Sequence, residues 1–281
     1  MYPLISVAEL QSILGQEKLV VVDCRHDLAD VAAGRKAYEQ GHIPGAVFLH
    51  LDEDLSGAKT GKNGRHPLPD PLTLAQHLSN VGIGDGCHVV AYDATGGMYA
   101  ARLWWLMRWL GHDHVQVLNG GLPAWTKAGN DLSTFIPKPL PLALTPHLRH
   151  NWTVDAGTVL ANIAKREFQV VDARAPGRFA GEGETLDPVA GHIPNAINRF
   201  YQLNLQPDGF FKPANSLRAE WLALLGSTDV RNAVQQCGSG VTACHNLLAL
   251  EAAGLHGSRL YPGSWSEWCS DPNKPVATGP A

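Results

Sequence analysis

Three short segments of this 281-residue chain occur twice, in the same order and at nearly the same spacing. Leu19-Val-Val-Val-Asp-Cys-Arg25 returns as Gln169-Val-Val-Asp-Ala-Arg174, and Gly41-His-Ile-Pro-Gly-Ala46 as Gly191-His-Ile-Pro-Asn-Ala196. Gly120-Gly-Leu-Pro-Ala-Trp125 returns as Gly263-Ser-Trp-Ser-Glu-Trp268. The separations are 149 residues from Asp23 to Asp172, 150 from His42 to His192 and 143 from Trp125 to Trp268. Ordered anchors with so little drift indicate a tandem duplication of a unit of about 130–140 residues, which is a domain and not a solenoid repeat. Between the copies, four prolines fall in residues 137–146. They favour an extended, semi-rigid connector over helix or ladder. The expected domains are 1–135 and 151–281, with a proline-rich linker at 136–150.

Within each copy, short β-branched runs (Leu19–Val22, His88–Tyr92, Val115–Leu118) alternate with helical stretches. Ala100–Leu110 is apolar almost all round, and Val241–Ala253 carries apolar residues at helical spacing, so both read as buried helices. Strands alternating with helices predict α/β domains, each a mainly parallel sheet flanked by helices. Ligands in such sheets lie beyond the carboxyl ends of the strands.

At one such end stands Ala233-Val-Gln-Gln-Cys237-Gly-Ser-Gly-Val-Thr-Ala243. The pattern predicts a strand ending at Cys237, a Gly-Ser-Gly loop, and a helix beginning near Val241 or Thr242. Two glycines let successive amides turn inward, and the helix dipole adds positive potential, so an anion there is well held. For a cysteine this stabilises the thiolate, and equally a persulfide, whose outer sulfur carries negative charge. A buried cysteine before another kind of anion-binding turn stays open. A cysteine phosphatase would need an arginine at the loop's end to grip phosphate, where Thr242 and Ala243 stand.

The loop CGSGVTA, the doubled GHIP and VVDxR elements and the closing GSWSEW together resemble the tandem-domain rhodanese family, over essentially the whole chain. Its uncharged loop is similar to that of the members that use 3-mercaptopyruvate, whereas thiosulfate users more often carry basic residues there. The resemblance implies two rhodanese-like α/β domains, a site between them and a sulfurtransferase that moves sulfur through a Cys237 persulfide. Aligning the copies sets Asp93 at the position of Cys237, so the first domain is expected to be catalytically silent, since a carboxylate cannot carry sulfur. Arg178 matches the family arginine for the donor's anionic group. The amides of Gly238, Gly240, Val241 and Thr242 are expected to hold developing charge. His66 matches a first-domain histidine directed at the cleft and Asp52 an aspartate that orients it; with Ser239 they would form a proton relay. The second substrate arginine of the mercaptopyruvate enzymes is missing, with Leu186 or Asp187 near its place.

His42 and His192 recur in both copies, which argues for structural roles, as it does for the Asp23/Arg25 and Asp172/Arg174 pairs. Cys244 reads as core, and Trp265 and Trp268 as packing or cleft-wall residues. The expected partners are a small sulfur donor and a thiophilic acceptor: cyanide, a thiol or a thioredoxin-type protein. No metal or organic cofactor is expected. Thiosulfate as donor, and a non-enzymatic binding module, remain as alternative readings. A net charge of −4 without basic runs argues against nucleic acid. No stretch reaches the roughly 18–20 apolar residues of a membrane helix. With no leader pattern and an odd, scattered set of five cysteines, a cytoplasmic location is expected.

Overall fold

In the first copy, strand and helix alternate as the apolar pattern predicts. The structure, a computed structural model describing residues 1–280, begins with β1 (Leu4–Ile5), α1 (Val7–Ile13), β2 (Leu19–Asp23), α2 (Ala33–Gln40) and β3 (Val47–Phe48). It continues through α3 (Pro71–Asn80), β4 (His88–Tyr92), α4 (Ala100–Trp109), β5 (Val115–Leu118) and α5 (Gly121–Lys127). The five strands pair in parallel in the order β1-β5-β4-β2-β3. Helix starts are marked locally: Ser6 and Glu9 form a capping box on α1, and Asp70 caps α3 just before Pro71. Helix α4 is buried at every residue except Arg108, as its all-round apolar sequence requires.

The second copy repeats the plan with α6 (Ala156–Lys165), β6 (Gln169–Asp172), α7 (Pro176–Ala180), β7 (Ile197–Asn198) and α8 (Ala214–Leu225). Then follow β8 (Ala233–Gln236), α9 (Thr242–Ala252), β9 (Arg259–Leu260) and α10 (Ser264–Trp268). Its parallel sheet has the order β7-β6-β8-β9. The sheet packs on a core of Val170, Phe179, Ile193, Val234, Trp265 and Trp268. Both tryptophans are fully buried, so truncating either to alanine should cost roughly 3–5 kcal/mol.

The repeated residues do repeated work. Arg25 bonds Asp23 through Nε and Nη2 and reaches the Gly41 carbonyl; Arg174 does the same to Asp172 and Gly191. Each pair ties the end of a strand to the GHIP turn. His42 Nδ1 bonds the Tyr38 carbonyl and His192 Nδ1 the Phe179 carbonyl, each ring stacked on that same residue.

The two compact units do not divide at one point of the chain. The first comprises Met1–Ser56, Pro69–Arg149 and Pro207–Phe211; the second comprises Gly57–Leu68, His150–Gln206 and Lys212–Ala281, whose last residue lies outside the described ones. The expected linker clusters with the first unit, where Leu142 and Ala143 bond Ser79 and Asp85 of the α3–β4 region. Segment 57–68 joins the second unit for an equally local reason. The Gly57 amide closes it on the Pro67 carbonyl, and Arg65 N donates to Ser266 Oγ at 3.0 Å. His66, expected as a first-domain residue, is therefore part of the second unit.

Candidate functional site

Cys237 follows directly on β8, the strand paired on both sides by β6 and β9, and precedes α9 by one loop. Its sulfur accepts the amides of Gly240 at 3.1 Å and Ser239 at 3.4 Å. The residue is only 2% exposed. The loop takes this course because Gly240 has φ +78°, and a β-carbon there would stand 2.4 Å from the Pro262 carbonyl oxygen. No side chain fits. On the other flank, Cys237 N donates to Ser264 Oγ and its carbonyl accepts the Trp265 amide, so both of its backbone groups are fixed from α10.

Ser264 itself has φ +54°, a left-handed conformation that the first copy gives to Gly121. Such strain persists where surroundings over-determine it. Here its hydroxyl bridges Cys237 N and the Tyr261 carbonyl. Sequence comparison alone passed over this residue, although a serine aligned with a turn glycine was the available signal.

Ser239 Oγ lies 2.7 Å from His66 Nδ1, and both side chains are buried. Segment 57–68 thus brings a titratable group to the residue two after Cys237. Arg178, on α7, donates from Nε to Glu184 at 2.9 Å and from Nη2 to Asp187 at 3.2 Å. A methyl built on Gly238 would lie 3.6 Å from Arg178 Nη2 and 2.8 Å from Arg65 Nη2, so two guanidinium groups converge beside Cys237. Arg65 was not singled out by sequence reasoning, because its distance along the chain from Arg178 hides the pairing. Asp187 stands near the place where a second arginine was sought, and it links the two cations present. Burial pushes its carboxyl above the usual aspartate range, against the pull of Arg65 and Arg178. For Glu184 burial also pushes upward, but the bonds from Arg178 and from the Leu186 amide outweigh it and the net shift is downward. Thr242 opens α9, with Val241 as its N-cap residue.

Asp52 belongs to the first unit, where its carboxylate lies 3.7 Å from His26 Nε2 and its amide donates to His50 Nδ1. His26, His50 and Asp52 are close enough to suggest a metal site. The hydrogen bonds argue otherwise: His50 Nδ1 accepts the Asp52 and Glu53 amides and Nε2 donates to the Val31 carbonyl, so neither nitrogen offers a lone pair. The cysteines are free and buried; Cys244 donates to the Gly240 carbonyl from inside α9, and burial raises the Cys269 thiol to about 11.

In the first unit, Asp93 directly follows β4 as Cys237 follows β8. Its carboxylate accepts four amides, from Thr95, Gly97, Tyr99 and Ala100, at 2.8–2.9 Å. That loop holds an anion of its own.

Comparison with known proteins places this geometry among relatives. A rhodanese-like domain profile matches residues 6–128 and again 155–271. Over 278 residues the chain is 45% identical to a Pseudomonas aeruginosa protein named "Probable 3-mercaptopyruvate sulfurtransferase", covering 98% of each. It is 35% identical over 240 residues to the thiosulfate sulfurtransferase of Rattus norvegicus, covering 83% of this chain and 79% of the relative. The crystal structure of SseA from Escherichia coli, described among 3-mercaptopyruvate sulfotransferases, matches with a TM-score of 0.82 at 28% identity. That match covers 94% of this chain and 99% of SseA.

Proposed function

Because the chain belongs to the rhodanese family and is a sulfurtransferase, we propose that it takes sulfur from 3-mercaptopyruvate onto Cys237 and passes it to a thiophilic acceptor. The observation that carries this reading is the Cys237 sulfur held by the Ser239 and Gly240 amides at the head of α9. The Cys237 thiolate attacks the donor's sulfur; an S–S bond forms, the donor's C–S bond breaks, and its electron pair goes to the pyruvate enolate. A proton then converts the enolate to pyruvate. The hydrogen-bonded Ser239–His66 pair is a group able to deliver that proton.

Gly238, Gly240, Val241 and Thr242 surround the persulfide with backbone N–H groups and the positive end of α9. Arg178 binds the donor's carboxylate. In the second half-reaction a nucleophile, such as cyanide, a small thiol or a thioredoxin-type dithiol, takes the outer sulfur and regenerates the thiolate. Two half-reactions through a covalent intermediate give ping-pong kinetics. The first domain plays no covalent part, since Asp93 occupies the corresponding position. Five scattered cysteines without a disulfide fit a reducing cytoplasm, and no helix among the described residues is long and apolar enough to cross a membrane.

Exposure to 3-mercaptopyruvate followed by mass spectrometry should find one extra sulfur on Cys237, and none on a Cys237→Ser variant. Absence of that sulfur from the wild-type protein would remove the mechanism. Thiosulfate is the second reading, supported by the name of the rat relative. A kcat/KM for thiosulfate equal to or above that for 3-mercaptopyruvate would replace the first donor with the second.

A further inference from the structure

The donor's carboxylate has two oxygens, and Arg178 already shares its guanidinium between two carboxylates. Its Nε bonds Glu184 and one Nη2 hydrogen Asp187, while Nη2 and Nη1 lie 3.6 and 3.7 Å from a methyl position on Gly238 with hydrogens to spare. Arg65 approaches the same spot from the opposite direction in sequence. Its Nη1 bonds Asp187, and its Nη2 lies 2.8 Å from that methyl position. The side chains of Arg65 and Arg178 are 29% and 22% exposed, while those of Asp187 and Glu184 are each 2% exposed. Two accessible cations therefore rest on two buried anions, beside the reactive sulfur.

The backbone of Arg65 is as firmly placed as its side chain. Arg65 N donates to Ser266 Oγ, and Gly64 (φ +86°) runs so close to Gly263 that a β-carbon would stand 2.7 Å from its carbonyl oxygen. Segment 57–68 is thus pinned to the start of α10, the same element that fixes Cys237. An arginine on a pinned backbone, with one nitrogen anchored on a buried carboxylate, presents its remaining donors with little loss of rotamer freedom.

Charge decides what this arrangement prefers. Arg65 and Arg178 with Asp187 and Glu184, together with the buried pair of Arg174 (Nη1 3.6 Å from Glu184) and Asp172, sum to no net charge before the donor arrives. A singly charged carboxylate satisfies the two inward-facing nitrogens. A dianion would add a second negative charge close to Asp187 and Glu184, where burial weakens screening. We propose that Arg65 and Arg178 jointly seat the carboxylate of the sulfur donor, and that Asp187, by bridging them, makes the seat select a monoanion over a dianion. This rests on sulfur transfer through Cys237; Arg65 supplies, from segment 57–68, the guanidinium missing near Leu186.

The test compares the wild-type protein with Arg65→Lys, Arg65→Gln and Asp187→Asn variants, using 3-mercaptopyruvate (a monoanion) and thiosulfate (a dianion) as donors. Arg65→Lys keeps a cation on Asp187 and so guards against misfolding, but loses the planar fork. It should raise KM for 3-mercaptopyruvate about tenfold, and Arg65→Gln more. Asp187→Asn should raise the thiosulfate-to-mercaptopyruvate ratio of kcat/KM by about fivefold or more. Unchanged KM in both Arg65 variants, or an unchanged or lower ratio in Asp187→Asn, overturns the proposal while leaving Cys237 as carrier. A wild-type protein that loads no sulfur from either donor overturns the mechanism beneath it and the seat together.

Discussion

The loops after β4 and β8 answer one physical problem in two ways. Each ends a central parallel strand, each leads into an almost wholly buried helix, and each gathers backbone N–H groups around a point of negative charge. In the first unit, the loop 94–99 and the first residue of α4 wrap the Asp93 carboxylate with four amides. In the second, the shorter run 238–241 gives two amides to the Cys237 sulfur. A carboxylate carries no transferable group, so the first loop spends its donors on structure. A thiolate holds charge more diffusely and can gain and release sulfur. The neighbours differ accordingly: Ala94 follows Asp93 and is exposed, while Gly238 follows Cys237 and is buried beneath two arginines.

Exchanging what the two loops hold should separate stability from turnover most sharply. Asp93→Ala removes the acceptor from four amides and should cost roughly 3–5 kcal/mol in denaturant unfolding. Sulfur transfer by the folded fraction should be retained. Cys237→Ala should cost about 1 kcal/mol at most and lower turnover by at least about a thousandfold. Equal losses of stability would mean the loops are not specialised in this way.

Gly240→Ala probes the turn that aims the amides. With φ +78° and the Pro262 carbonyl 2.4 Å from any β-carbon, the loop must shift, and kcat should fall about a hundredfold. A crystal structure or a persulfide-loading assay with unchanged geometry or rate would contradict it. Gly238→Ala is milder. The added methyl meets the flexible end of Arg65, so the arginine can move aside, and KM for the donor should rise about tenfold with kcat less affected.

The smallest effect concerns pH. Glu184 titrates lower in the folded protein than in the unfolded chain, so its contribution to stability is present above the ordinary glutamate range. It is lost as pH falls through the lowered folded value. Glu184→Gln should flatten the acid limb of stability against pH, measured by thermal unfolding between neutral and strongly acid conditions. An unchanged limb would assign acid sensitivity elsewhere.

Much of the fold was legible because it rests on local pattern. Apolar runs such as Val20–Val22 and Val89–Val90, set between helical stretches, suit a parallel sheet covered on both faces, and the mostly apolar Ala100–Leu110 stretch suits a helix inside a core. The surroundings of Cys237 were legible for a similar reason: strand, glycine loop and helix are contiguous, so the order of the residues sets them. Its counterpart Asp93 could be located because duplication supplies an internal alignment.

Other features needed three dimensions. Segment 57–68 packs with the second unit although it lies in the first half of the chain, and this carries His66 to Ser239 and Arg65 to Arg178. No periodicity encodes such pairings; they follow from a glycine-tight contact and a single backbone hydrogen bond at Ser266. Ser264 shows the same limit, since its left-handed backbone is tolerated only because its hydroxyl completes hydrogen bonds from two directions. By itself the sequence determined that this is a duplicated α/β protein in which only the second copy places a cysteine before a glycine loop at a helix head, because propensity and burial pattern act along the chain. The tertiary structure alone decided which charges face that sulfur, because electrostatic partners are chosen by distance in space and not by order in sequence.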